Sequence, residues 1–209
     1  MRKIFGFLLL PCLMLLACMN KTNKDSVQKK QNEEMGTQTL ENQNSETTFV
    51  ISHTFNTDLN TLFNMWIIPE IYTSWMGPAG ADMSFLNADV KEEGIAHWQM
   101  TTPDGLIKYG KLHYKTINPN KELVYVQYFC DKDGNFIKAP FSKTYPDSLL
   151  LSVNFVQDFE NKIKMTVKWE IYGESNKTER KTFSDMKPFM VKGWEESFDK
   201  IEALLKSKK

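Results

Sequence analysis

Six strand-like segments separated by short turn motifs occupy the middle of this sequence and constrain its fold more than any other feature. The motifs KEEG, TPDG, NPNK and DKDG follow the first four segments, and ENK joins the last two as a hairpin. Strands joined by such short turns pair antiparallel. The sequence therefore predicts an antiparallel sheet built from residues 83–90, 95–101, 107–117, 123–130, 149–159 and 162–172.

The last segment has the clearest alternation of apolar and polar residues. Its apolar residues are Ile163, Met165, Val167, Trp169 and Ile171, and lysine, threonine and glutamate occupy the positions between them. A sheet with one apolar face and one polar face needs a cover on its apolar side. The sequence must therefore supply another element that packs against this face.

The C-terminal segment is the predicted cover. Its apolar residues recur every three or four positions, as on one face of a helix. Ser184 or Asp185 is the predicted N-cap, with Pro188 in the first turn. A helix of 20 residues is about 30 Å long, enough to cross a sheet. The apolar positions are Met186, Phe189, Met190, Trp194, Phe198, Ile201, Leu204 and Leu205.

One further strand and two short helices precede the six segments. Alternation begins at Thr47, and Asp58 is placed to cap a helix that Pro69 ends. A second helix over residues 70–75 leads into TSWMGPAG, where Gly77 and Gly80 supply turn conformations. The resulting order, β-α-α-β6-α, predicts an α+β helix-grip fold, in which a curved antiparallel sheet wraps around a long C-terminal helix.

The N-terminal residues predict export and a lipid anchor. Positively charged residues precede an apolar stretch that is too short to span a membrane, as in a signal peptide over residues 1–17. The stretch ends in LLAC, which resembles the lipobox of bacterial lipoproteins and implies cleavage before Cys18 and acylation of that cysteine. The predicted location is the cell envelope, anchored in a membrane and facing the periplasm or the exterior. A plain secretory signal with an incidental Cys18 is the alternative.

The next segment differs sharply in composition. Residues 18–46 comprise the acylated cysteine and a stretch rich in Asn, Gln, Lys and Glu, with few apolar side chains to bury. We expect this segment to be a disordered tether. The folded domain is expected over residues 47–209.

Charge and cysteine content argue against several classes of function. The 26 basic and 26 acidic residues balance, so the sequence has no electrostatic signature of nucleic-acid binding. Cys130 is the one cysteine in the expected domain, where it is predicted to be buried. His53, His97 and His113 have no metal-binding spacing, although His97 and His113 facing each other across a hairpin near Glu92 or Glu93 would make a metal site conceivable. The sequence therefore predicts no catalytic group, metal or cofactor.

Several stretches together resemble a known family. They are IIPEIYTSWMGPAG, MTTPDGLIKYGKLHYKTINPNKELVYVQYF and MVKGWEESFDKIEALL. Over residues 47–206 the sequence is similar to the Hsp90-ATPase-activator-homologue-like family of the START/Bet v 1 (SRPBCC) superfamily. Met76 stands where that family has the second tryptophan of a pair. The matching positions are Pro69, Trp75, Gly77, Pro78, Pro103, Asp104, Gly105, Pro119, Leu123, Val124, Tyr125, Gly193 and Trp194.

The resemblance implies an apolar cavity between the sheet and the long helix, where a small hydrophobic or amphipathic molecule binds. The alternatives are a module with a filled core that binds an envelope protein, and an enzyme acting on an apolar substrate. A role on cytosolic Hsp90 does not fit an exported protein. The candidate ligand-binding residues are Trp66, Trp75, Met76, Trp98, Met100, Trp169, Phe189, Met190 and Trp194.

Overall fold

The computed structural model describes residues 46–207. The predicted signal peptide, Cys18 and nearly all of the predicted tether lie outside these residues. The described elements are β1 (Thr48–Asn56), α1 (Leu59–Ile67), α2 (Pro69–Trp75), β2 (Asp82–Ala88), β3 (Ile95–Thr101), β4 (Ile107–Asn118), β5 (Glu122–Cys130), β6 (Ser148–Phe159), β7 (Lys162–Ile171) and α3 (Lys177–Ser207).

The seven strands form one curved sheet with the order β1-β7-β6-β5-β4-β3-β2. Every neighbouring pair is antiparallel. Strands β2 to β7 follow one another as a meander, and β1 pairs with β7 at the far edge. The long α3 covers the sheet. The predicted α+β helix-grip fold and its order of elements are confirmed.

The alternation in β7 decides which face of the sheet is buried. Ile163, Met165, Val167 and Trp169 are all buried, as predicted. The β1 residue opposite Trp169 is Phe49 and the β6 residue opposite it is Leu151, and both are also buried. One continuous apolar face therefore runs across these three strands beneath α3.

Helices α1 and α2 form where the sequence predicts, although α2 begins at Pro69, one residue before its predicted start. Asp58 caps α1, because its carboxylate accepts a 2.8 Å hydrogen bond from the Thr61 amide, and the bonds from Thr61 lower the pKa of Asp58. Pro69 opens α2 at a position where a missing N–H is tolerated. Gly77 and Gly80 then adopt φ values of 103° and 75°, which explains why glycine occupies both turn positions after Trp75.

An aromatic cluster joins α1 and α2 to α3. Trp66 lies 4.9 Å from Trp75 and 5.9 Å from Trp194, measured between ring centroids. The Trp75 indole donates a 2.9 Å hydrogen bond to the Met65 carbonyl, and the Trp66 indole donates to the Met165 sulfur. Both N–H groups are therefore satisfied within the buried core.

The predicted start of the C-terminal helix is wrong. Helix α3 begins at Lys177 and not after Ser184 or Asp185, so Pro188 lies inside it. Asn176 accepts a hydrogen bond from the Glu179 amide through its side chain, and the Glu179 carboxylate accepts one from the Asn176 amide. This reciprocal capping box starts the helix before its apolar periodicity begins. Within residues 46–207, no helix has both the length and the apolar character needed to cross a membrane.

Candidate binding cavity

A cavity of about 280 Å³ lies between the sheet and α3. The sheet contributes Met83, Trp98, Met100, Leu149 and Trp169 to its wall. These positions belong to β2, β3, β6 and β7, so strands from both halves of the sheet face the same space. A space of this volume suits a small molecule.

Helix α3 forms the opposite wall through Met190, Gly193, Trp194 and Ser197. These residues follow the three- and four-residue spacing of one helix face. A Cβ added to Gly193 would meet no atom within 4 Å. The missing side chain at Gly193 therefore leaves part of the space open.

The loop after α2 supplies a third wall through Met76, Gly77 and Pro78. Glu196 on α3 accepts a 3.0 Å hydrogen bond from the Ala79 amide. A Cβ on Gly77 would come within 2.7 Å of the Met100 methyl group, so the backbone there lies directly against β3. The loop therefore contacts α3 through Glu196 and β3 through Met100.

The segment between β5 and β6 contributes Phe141, Tyr145 and Pro146 to the wall, and Phe141 is partly exposed. Lys138, in this segment, forms ion pairs with Asp147, at 2.5 Å, and with Glu179 of α3, at 2.9 Å. The second ion pair joins the segment to α3. Tyr145 is buried, and burial raises the pKa of its phenol. Tyr145 is therefore neutral at physiological pH.

Few polar groups reach the apolar wall. The polar lining residues are Lys108, Gln127, Tyr128, Tyr145, Asp147 and Ser197, and the Asp147 carboxylate is bound by Lys138. The indole N–H groups of Trp98 and Trp169 are buried and donate to no acceptor among residues 46–207. A buried donor left without a partner costs about 1–3 kcal/mol. Both residues line the cavity, but their N–H groups are enclosed in the core beside it.

The position of the Trp98 side chain depends on Gly110, the residue opposite it on β4. A Cβ on Gly110 would lie 2.3 Å from Cζ2 and 2.6 Å from Cε2 of the Trp98 indole. The Trp98 indole therefore packs against the β4 backbone at Gly110. No other residue at position 110 leaves room for this arrangement.

The family model described as Activator of Hsp90 ATPase homolog 1-like protein matches residues 56–206, most of the chain. The chain belongs to this Activator of Hsp90 ATPase homolog 1-like family. The expectation drawn from the sequence motifs is confirmed at the level of family and fold. A search of curated proteins found no match.

Solved structures share the fold of this family member. A protein from Arthrobacter aurescens has 25% sequence identity and a TM-score of 0.64, over 78% of this chain and 87% of that one. Protein Ms6760 from Mycobacterium smegmatis has 17% identity and a TM-score of 0.63, over 77% and 91%. The AHSA1 protein from Silicibacter pomeroyi has 13% identity and a TM-score of 0.58, over 78% and 99%. At the two lower identities the likeness concerns the fold alone.

Six of the nine candidate residues predicted from the sequence line the cavity, and three do not. The six are Met76, Trp98, Met100, Trp169, Met190 and Trp194. Trp66 and Trp75 pack in the core behind the wall, with their N–H groups satisfied, and Phe189 is 69% exposed on α3. Phe189 lies about 140° around α3 from Trp194, on the exposed side of the helix, so its assignment to the apolar face was wrong. Ligand binding by the six remains a prediction.

Other lining residues were missed by sequence reasoning. Lys108 has the same strand phase as Gly110, Leu112 and Tyr114, and the burial of the last two identifies that phase as inward. Counting this phase back from Leu112 would have found Lys108. Phe141 and Tyr145 lie in a segment without periodicity, so no comparable signal predicts their position.

The three histidines lie apart from the cavity. His97 is opposite Lys111 and His113 is opposite Ile95, so these histidines do not face each other across the hairpin as the conceivable metal site required. His113 instead contacts Glu93 at 2.9 Å, and Lys115 shares the same carboxylate. Within residues 46–207, no three His, Cys, Asp or Glu side chains are grouped as metal ligands.

Cys130 is buried, as the sequence predicts. Its sulfur lies 3.4 Å from Nε2 of His97. Burial raises the pKa of the Cys130 thiol, and burial together with the Lys111 charge lowers the pKa of His97. Both groups are therefore held neutral, which is the opposite of what an activated cysteine nucleophile needs.

Proposed function

We propose that this domain binds a small hydrophobic or amphipathic molecule in the cavity between the sheet and α3, without transforming it. The observation that carries the proposal is the cavity itself, about 280 Å³ in volume and walled by tryptophan, methionine and phenylalanine side chains. Members of this fold commonly bind small hydrophobic ligands between sheet and helix. Methionine side chains adapt to irregular apolar shapes, which suits such a wall.

The residues that line the cavity favour binding over catalysis. Its wall has no histidine or cysteine among the described residues, and its one carboxylate, Asp147, is bound by Lys138. No free general base therefore faces a bound molecule. The protein-binding alternative assumed a filled core, and a cavity of this size weighs against that assumption.

We further propose that the domain works at a membrane, held by a lipid on Cys18 and separated from the bilayer by the polar segment up to residue 46. The support is the sequence: the apolar stretch, LLAC and the polar segment occur in the order that a bacterial lipoprotein requires. A tethered binding domain would hold its ligand close to the membrane surface.

Native mass spectrometry of the protein purified from its own host tests ligand binding. We expect a bound small molecule that leaves on denaturation. The variant Gly193→Leu should lose it, because its new side chain fills open space in the cavity. Glu195→Leu, at an exposed position of the same helix, is the matched control and should retain it. Recovery of the unmodified protein without any ligand, together with no binding of a fluorescent hydrophobic probe, would contradict the proposal.

A further inference from the structure

Five apolar side chains are exposed at one end of the sheet. Two belong to the β3–β4 hairpin and three to the segment that follows β5, and each is 37–50% exposed. Single exposed apolar residues are common on protein surfaces, but a group of them in one place marks an interaction surface. We call this group the mouth patch, and its members are Leu106, Ile107, Phe136, Ile137 and Phe141.

Strand pairing brings the two parts of the mouth patch to the same end of the sheet. Tyr109, near the start of β4, is opposite Cys130, the last residue of β5, and Phe136 forms a bridge with the same Cys130. On the inner side, the Lys108 ammonium lies 5.7 Å from the centroid of the Phe141 ring. Phe141 both lines the cavity and is partly exposed, so the patch borders the place where the cavity meets solvent.

The chain enters the domain at this end of the sheet. The Glu46 carboxylate lies 4.0 Å from Nε of Arg180, in the first turn of α3. The neighbouring Glu179 forms a 2.9 Å ion pair with Lys138, in the segment that carries three of the patch residues. The opposite end of the sheet, where β6 ends at Phe159, is about 40 Å away, the length of a strand of 12 residues.

This point of entry matters because the proposed lipid anchor precedes it in the chain. Cys18 lies 28 residues before Glu46, and a polar coil of that length spans about 30 Å root-mean-square. This span is shorter than the sheet. A domain anchored in this way holds the end that carries Glu46 and the mouth patch closer to the bilayer, on average, than the end that carries Phe159.

The charges beside the patch do not favour a particular lipid headgroup. Residues 131–147 contain three lysines and three aspartates, so this segment has no net charge with which to attract anionic lipid. Apolar side chains gain free energy when they leave water for the boundary between headgroups and acyl chains. Apolar contact with a bilayer is therefore the interaction that this surface fits.

We propose that the mouth patch docks on the surface of the membrane that anchors the protein, so that the cavity opens toward lipid. A hydrophobic ligand then passes between bilayer and cavity with little exposure to water. This inference rests on the proposed function and names the partner of the same site, a lipid surface.

Photocrosslinking in vesicles tests the docking. The chain from Cys18 to Lys209 is coupled through the Cys18 thiol to a maleimide lipid in phosphatidylcholine vesicles, which reproduces an anchor whether or not the host acylates this cysteine. Cys130 is buried and does not compete. The photoreactive residue p-benzoylphenylalanine replaces Phe141 in one protein and Phe159 in the matched control.

Illumination should give lipid adducts at position 141 with a yield about tenfold or more above that at position 159, because only the docked side chain lies among acyl chains. Phe159 is the more exposed of the two, at 74%, so non-specific apolar contact would favour the control. Equal yields at the two positions, or adducts at position 141 with a second copy of the chain in place of lipid, would overturn the proposal.

A double variant tests the patch without touching the cavity. Ile107 and Phe136 do not line the cavity, and Ile107→Asp with Phe136→Asp places two charges where the bilayer would be. The yield of lipid adducts at position 141 should fall about tenfold, because a charged side chain resists burial in lipid. Val156→Asp, at an exposed position of β6, is the matched control and should leave the yield unchanged. An unchanged yield in the double variant would overturn the assignment to the mouth patch.

Binding of a fluorescent hydrophobic probe, measured on the same proteins, separates this inference from the proposed function. All the variants should bind the probe normally, which also shows that they are folded. If the probe binds and position 141 gives no lipid adducts, the docking is wrong and ligand binding stands. If adducts form at position 141 and the unmodified protein binds no probe, the patch docks on lipid and the proposed function fails.

Discussion

Lys200 on α3 donates a 2.7 Å hydrogen bond from its ammonium to the backbone carbonyl of Gly77, on the loop that walls the cavity. The same ammonium donates to the Pro78 carbonyl at 3.2 Å. Glu196, one turn earlier on α3, accepts from the Ala79 amide. Two side chains of opposite charge on one helix thus bind consecutive backbone groups of the loop and fix this wall.

Replacing Lys200 with methionine should loosen the loop. The variant loses two charge-assisted hydrogen bonds but keeps most of the side-chain stem, so we expect about 1 kcal/mol of destabilisation and a weaker affinity for a fluorescent hydrophobic probe. Urea denaturation and probe titration measure the two effects. Lys192→Met, at an exposed position of the same helix, should change neither. Equal behaviour of the two variants would show that the Lys200 bonds do not hold the wall.

Trp75 and its neighbour Met76 should respond differently to truncation. Trp75 is fully buried outside the cavity, so Trp75→Ala should cost about 3–5 kcal/mol, and the remaining folded protein should bind the probe normally. Met76 is half-buried in the cavity wall, so Met76→Ala should cost less than about 2 kcal/mol and change probe affinity clearly. The reverse pattern would place Trp75 in the binding site and Met76 in the core.

The element order and the buried face of the sheet could be predicted because period-two alternation and turn motifs are local signals. In β7, burial of every second residue from Ile163 to Trp169 follows directly from the sequence. The start of α3 could not be predicted from apolar periodicity, because the turns from Lys177 onward are mostly polar and depend on the capping box at Asn176. The sequence does contain a local signal for that capping box, an asparagine three residues before a glutamate, which predicts a helix start at this position.

The candidate site was harder to predict, because a cavity forms where the surrounding side chains leave space unfilled, and the sequence alone does not show where that happens. Sequence identifies Trp66, Trp75 and Trp98 alike as buried aromatics, yet only Trp98 lines the cavity. The difference arises from Gly110, which lets the Trp98 ring lie on β4, and from Gly193, which leaves space on α3. Both effects depend on contacts between residues far apart in sequence.

Two glycine substitutions should have opposite effects on stability. Gly193→Ala should stabilise the protein by up to about 1 kcal/mol, because alanine is the better helix former and its Cβ meets no atom within 4 Å. Gly110→Ala should destabilise by about 1–3 kcal/mol, because its Cβ would overlap the Trp98 indole. Thermal melting measures both. Stabilisation by Gly110→Ala would contradict the packing of Trp98 on β4.

The lipid anchor is tested at Cys18. In a bacterial host, Cys18→Ala should abolish incorporation of labelled fatty acid and leave the exported protein uncleaved or soluble, since alanine has no sulfur to acylate. Cys12→Ala is the matched control and should be labelled and retained normally, because Cys12 lies in the predicted signal peptide. If the Cys18→Ala protein were labelled and retained at the membrane as well as the unmodified protein, the lipoprotein proposal would be contradicted.

The most direct test of the cavity is an NMR titration of methyl-labelled methionine with octanol. Met76, Met83, Met100 and Met190 line the cavity, whereas Met65 and Met165 are buried in the core away from it. Octanol at saturation should shift the four lining methyl signals and leave those of Met65 and Met165 nearly unchanged. Unmoved lining signals, or equal shifts of all six, would contradict a ligand-binding cavity between the sheet and α3.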